Sequence, residues 1–131
     1  MSNSTPWPHF SDAELTCQCG CNRQEMDTTF LTKLETLRLA FGKPMPVSSG
    51  FRCPMHNAQA SHTGLSGPHT TGLAVDIRVS GEDAYHLLAL ALQHGFTGIG
   101  LSQRGAHSSR FLHLDMIKPG PGRPRPTLWT Y

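Results

Sequence analysis

Two stretches of the chain hold side chains suited to metal chemistry. Ser66 to Ile77 reads SGPHTTGLAVDI, with His69 and Asp76 seven positions apart across a turn of small residues. Phe111 to Met116 reads FLHLDM, with His113 and Asp115 two apart. Histidine is the commonest protein metal ligand and titrates near neutrality. Side chains alternate between the faces of a strand. A strand through LAVDIRV therefore sets Ala74, Asp76 and Arg78 opposite Leu73, Val75 and Ile77. In the same way His113 and Asp115 share one face while Leu112 and Leu114 point to the core. A turn at Gly72 lets His69 and Asp76 aim at one point. An aspartate on such a strand is costly to bury unless it is paired or bound to a metal. Two histidines and one carboxylate on neighbouring strands suit a catalytic zinc ion. Such an ion takes three protein ligands and keeps a fourth position for water, whose pKa it lowers while polarising a carbonyl. Taken alone the His-x6-Asp pair is a weak signal, since loop histidines and strand aspartates also occur without a metal.

The chain has 8 histidines and 4 cysteines. His9, His86 and His94 read as solvated or structural, and His56, after a proline, as structural. His62 stands in SHTG, a near-copy of the motif that lacks the following aspartate. Cys17, Cys19 and Cys21 form the run CQCGC, and Cys53 stands apart. Metal binding, a disulfide and reduced thiols all remain open. Four-cysteine zinc sites usually pair their ligands as C-x2-C, unlike this spacing. A disulfide from Cys17 or Cys21 to Cys53 requires an oxidising compartment.

The elements that must position these residues follow from periodicity. Phe30, Leu31, Leu34, Leu37 and Phe41 lie on one helical face, with Asp27 or Thr28 as cap and Gly42-Lys43-Pro44 as stop. MPVSSGFR reads as a short strand, CPMHNAQA as a helical turn opened by Pro54, and ASHTGLSGPHTTG as a long loop, a kind often functional. A second helix carries Leu87, Leu88, Leu90, Ala91 and Leu92, with a capping box expected between Ser80 and Asp83. FTGIGLS and RFLHLDM read as strands. The sum is an α+β fold: a small, mostly antiparallel sheet with helices packed on one face. No repeat or linker divides it, so residues 1–131 read as a single domain. Within it, 1–26 form a cysteine-containing N-terminal arm and 117–131 a Pro/Gly-rich extended tail.

In that order, SSGFRCPMHN, SGPHTTGLAVDI and FLHLDM resemble the M15 peptidases, the zinc D-Ala-D-Ala carboxypeptidases and related phage endolysins. These share a fold with the zinc-bearing domain of hedgehog proteins. The resemblance runs from about Leu31 to Met116 and includes GFTGIGL. It implies that His69, Asp76 and His113 hold zinc. It also implies that Arg52 faces the substrate, near the attacked carbonyl or a terminal carboxylate. Many members carry an acid three residues before the last zinc histidine as general base. Here that position is Arg110, which cannot be a base. Asp115 and His107 are the substitutes, His107 as acid/base or oxyanion donor. Asp115 equally suits the role of a partner that orients His113.

A net charge of +2 with no basic run argues against nucleic acid. No segment approaches the ~20 apolar residues of a membrane span, and the start of the chain lacks the basic and apolar regions of a signal peptide. The expected function is that of a zinc peptidase, a monomer, cutting peptidoglycan stem peptides. The expected setting is a phage or prophage lysin made in the cytoplasm and acting on the cell wall. The alternative is a non-catalytic zinc-containing binding module on the same scaffold.

Overall fold

Local signals set the helices. The computed structural model describes residues 5–131, so the first four residues of the arm lie outside the described residues. The arm carries a short helix, α1 (Asp12–Leu15), closed by reciprocal bonds between Ser11 and Glu14. Asp27 caps α2 (Thr28–Phe41), its carboxylate accepting from the Phe30 amide at 2.8 Å, and Gly42 ends the helix. α3 (Pro54–Ala60) opens on its proline, and α4 (Gly81–Gln93) follows Ser80. The capping box expected at α4 does not form, because Ser80 makes no side-chain cap bond. Asp83 instead meets Lys43, just beyond α2, at 2.7 Å.

Five strands, β1 (Val47–Ser49), β2 (Ala74–Arg78), β3 (Gly98–Ser102), β4 (Phe111–Asp115) and β5 (Thr127–Thr130), form one sheet in the order β1-β2-β4-β3-β5. The first three pairings are antiparallel, and β5 runs parallel to β3. This is the expected α+β arrangement. On one face Val75, Ile77, Ile99, Leu112 and Leu114 are buried in a single core with Phe30, Leu31, Leu34 and Leu37 of α2 and Leu87 of α4. Full burial of such side chains contributes roughly 1.5–3 kcal/mol each before entropy is subtracted. Phe10, Leu15 and Met26 of the arm join the same core. Among the described residues no helix is long and apolar enough to cross a membrane.

Two segments differ from expectation. The long loop before β2 contains two 3-10 turns, Gly64–Ser66 and Pro68–Thr70. Fully buried Asn57 organises it, its side-chain amide donating to Thr63 Oγ1 (2.8 Å) and the Gly64 carbonyl (2.5 Å). The Pro/Gly-rich tail is extended, yet it does not lie free, because its end is β5. Proline cannot donate to a sheet and is confined to edges and strand starts. Pro119, Pro121, Pro124 and Pro126 all precede Thr127, which leaves the strand itself intact at the sheet edge.

Candidate metal centre

The register of the sheet builds the centre. Ser49 pairs with Asp76, Asp76 with His113, His113 with Gly100, and Gly100 with Trp129. These residues form one row across all five strands, on the face away from α2 and α4. His69 reaches the row from the 3-10 turn ahead of β2. Gly72 makes this possible: its φ of 76° is a conformation other residues rarely adopt, and a Cβ there would strike the Glu25 carbonyl.

His69, Asp76 and His113 are all buried. Each offers a ligand atom, and these atoms lie within 4.8 Å of one another. The two rings meet edge-on at 5.1 Å. Their outer nitrogens are already engaged. His69 Nδ1 donates to the Gly50 carbonyl at 2.8 Å. His113 Nε2 donates to Asp115 Oδ2 at 2.7 Å. A carbonyl and a carboxylate only accept, so both protons are fixed on the outer side. That leaves His69 Nε2 and His113 Nδ1 facing Asp76 Oδ1, at 3.2 and 3.1 Å. In neutral rings both nitrogens present lone pairs to a carboxylate oxygen, an arrangement that calls for a cation between them.

The charges respond accordingly. Burial pushes the Asp76 carboxyl up, but without a metal the neighbouring His113 and His69 rings, donating to it when protonated, reverse this and hold it well below the usual carboxylate range. Burial lowers His113, yet its bonds to Asp115 and Asp76 outweigh that and raise it. Asp115 is likewise raised by burial and lowered, on balance, by His113 and Arg125. Arg125 grips Asp115 with both arms of its guanidinium, Nε to Oδ1 at 3.0 Å and Nη2 to Oδ2 at 2.9 Å. The Ile117 amide adds a further bond to Oδ1 at 3.3 Å.

Space for this row comes from two glycines of β3. A Cβ on Gly98 would collide with the Asp115 carboxylate, and one on Gly100 would approach Trp129 Nε1 to 2.7 Å. Trp129 lies 5.0 Å from the His113 ring, and Arg125 stacks over Trp129 at 5.3 Å. A cleft of about 280 Å³ opens above the row, lined by Arg52, His69, Asp76, His113, Trp129 and Tyr131, among others. Arg52 is held by Ser49 Oγ and Asn57 Oδ1, each at 3.2 Å, and its Nη2 stands 3.8 Å from Asp76 Oδ2.

The four residues His69, Asp76, His113 and Arg52 are thus brought together. Asp115 is beside them but fully buried and turned to His113 and Arg125. His107 is not brought to the cleft. It starts an exposed 3-10 turn and is absent from the residues lining the cleft. Arg110, half-buried, folds back on the Gly105 carbonyl.

The model of the family described as peptidase M15 matches residues 8–115. The chain belongs to the peptidase M15 family. No curated protein matches the chain. Membership of this family supports a peptidase, a hydrolase of peptide bonds. Arg125, Trp129 and Tyr131 of this M15 chain fall beyond the matched residues and were not legible as site residues. The signal that could have found them is the G-x-G of Gly98 and Gly100, since glycines alternating along one strand face mark a close approach.

Proposed function

We propose that the chain is a zinc-dependent peptidase that cuts peptidoglycan stem peptides. One observation carries the metal part. His69 Nε2, His113 Nδ1 and Asp76 Oδ1 converge while the outer nitrogen of each ring is engaged as a donor. Two imidazoles and a carboxylate are a donor set that suits zinc, so His69, Asp76 and His113 would hold it. When bound, zinc supplies Lewis acidity, lowering the pKa of a water toward neutrality and polarising a carbonyl.

The protein's own groups do the rest. Asp115 keeps the His113 proton on Nε2, and Arg125 keeps Asp115 ionised. This geometry supports Asp115 as the orienting partner of His113 over Asp115 as general base. Arg52 carries a fixed guanidinium into the cleft, where it can bind the carbonyl oxygen under attack or a terminal carboxylate. Partial burial raises the Tyr131 phenol, which keeps it protonated and able to donate to the reacting amide. The larger neighbouring groove, about 950 Å³, shares Thr63, Pro68 and Trp129 with the cleft and carries Lys118, Arg123 and Arg125. Its charge suits a peptide with several carboxylates, as stem peptides are.

Among the described residues lining the cleft, Asp76 has the sole carboxylate side chain. This favours a second reading, a zinc-containing module that binds wall peptides without cutting them. Incubation of the zinc-loaded protein with purified peptidoglycan, followed by mass spectrometry of the soluble fragments, separates the two. Cleavage at one stem-peptide amide, abolished by chelation and restored by zinc, is the expected result. Intact stems with protein retained on the wall would establish the second reading. Neither cleavage nor retention would overturn both.

A further inference from the structure

Four thiols outside the peptidase centre also meet at one point. Cys17, Cys19 and Cys21 lie on the arm, and Cys53 precedes α3. Their sulfurs all lie within 4.8 Å of one another. Cys17 Sγ is 3.5 Å from Cys19 Sγ, which is 3.6 Å from Cys53 Sγ. All four cysteines are free. A zinc ion with Zn–S bonds of about 2.3 Å sets its sulfurs about 3.8 Å apart at the corners of a tetrahedron. These separations match that tetrahedron. We propose that Cys17, Cys19, Cys21 and Cys53 form a second metal site, a structural tetrathiolate centre for zinc, sharing no residue with His69, Asp76 and His113.

The chain around the thiols is shaped for this. Alternate residues of CQCGC could not surround one ion if the segment were straight. Gly20 at φ 91° and Asn22 at φ 61° bend it, and Cys17 N–H closes the bend on the Arg23 carbonyl at 2.8 Å. Further groups address the sulfur of Cys17. The Cys53 amide donates to it at 3.3 Å, and His56 Nδ1 lies 3.3 Å away. Such contacts hold metal-bound thiolates in place. The C-x-C-x-C spacing, foreign to the usual paired knuckles, works because the fourth ligand arrives from a separate segment. The consequence reaches the peptidase centre. Cys53 adjoins Arg52, whose amide donates to the His69 carbonyl at 3.0 Å. A metal at the four sulfurs would clamp the arm to the segment that carries Arg52. Cys19 and Cys21 are exposed, and unligated thiols there would be open to oxidation.

The test uses the full chain, purified anaerobically, and its metal content. Wild type should hold about two zinc ions, and His69→Ala/His113→Ala should keep one. Cys19→Ser/Cys21→Ser, at exposed positions that leave the core intact, should also keep one. Replacing zinc with cobalt(II) should give wild type an intense near-ultraviolet thiolate-to-cobalt absorption. The His/Asp centre has no sulfur and cannot produce it, so this reading does not depend on any variant folding. The thiolate band should persist in His69→Ala/His113→Ala and vanish in Cys19→Ser/Cys21→Ser. A wild type with no thiolate band overturns the proposal. So does a thiol titre after denaturation that shows these cysteines paired as disulfides.

Discussion

Replacing Arg125 should damage the metal centre from behind. Arg125 and Asp115 form a bidentate pair whose side chains are 5% and 0% exposed, so solvent screens little of it. Arg125→Met keeps most of the stem and removes the charge. Removing one partner of a buried pair typically costs about 3–5 kcal/mol. In the variant, Asp115 can escape by taking a proton. Between an ordinary carboxylate pKa of about 3.9 and pH 7, at 1.36 kcal/mol per unit, that escape costs about 4 kcal/mol, which caps the unpaired-charge penalty. Asp115 keeps its bonds to His113 and the Ile117 amide, so the expected loss is about 3 kcal/mol at pH 7. At pH 5 the same cap falls to about 1.5 kcal/mol, and the deficit relative to wild type should shrink. A protonated or wandering Asp115 no longer orients His113, and zinc affinity should fall ~10–100-fold. Urea unfolding of the metal-free protein at both pH values measures the first effect, provided the slope is unchanged. Competition with a chromophoric chelator measures the second. Exposed Lys118→Met in the same tail should change stability by no more than about 0.5 kcal/mol. The double change Asp115→Asn/Arg125→Met should recover part of the single-variant loss, because the buried charge goes with its partner. A loss under about 1 kcal/mol in Arg125→Met, equal at both pH values and with zinc affinity intact, would refute the reasoning.

Gly98→Ala forces a Cβ into the Asp115 carboxylate; overpacking of this kind costs about 1–3 kcal/mol, and the variant should melt lower and bind zinc more weakly. Arg52→Ala should retain zinc, lose about 1 kcal/mol through the unpaired Asn57 Oδ1, and lower turnover ~10²–10³-fold in a peptide-release assay. Metal-free and zinc-loaded protein should respond oppositely to pH. His113 is raised in the metal-free fold, so that form holds more protons than the unfolded chain and loses stability as pH climbs above about 6.5. Zinc displaces those protons, so the loaded form gains stability over the approach to the same pH from below. Thermal melts from pH 5.5 to 8 would read both slopes, and parallel slopes would remove His113 from the metal set.

Local and periodic features were legible along the chain. The stripe from Phe30 to Phe41 gave a helix capped at Asp27 and stopped at Gly42. Alternation in LAVDIRV and FLHLDM put Asp76, His113 and Asp115 on the polar face, opposite Val75, Ile77, Leu112 and Leu114. These are effects of nearest neighbours along the chain, and one sequence suffices to read them. Tertiary structure decided what depends on residues far apart. Register aligned Asp76, His113, Gly100 and Trp129 in one row, and no local signal specifies register across strands. The tail illustrates this most clearly. Its prolines and glycines carry the local signature of an extended, solvated end, yet its last residues form an edge strand of the sheet and the Arg125 side chain is buried against Asp115. A buried arginine is stable there because Asp115 waits for it, and Asp115 is stable because Arg125 and His113 reach it. Neither half of that bargain is visible from its own segment. His107 shows the converse: its residue type and its glycine- and serine-flanked loop suit a catalytic base, but the turn it starts points it to solvent. Chemistry was legible where residue type and spacing sufficed, and hidden where function required two distant segments to neutralise each other.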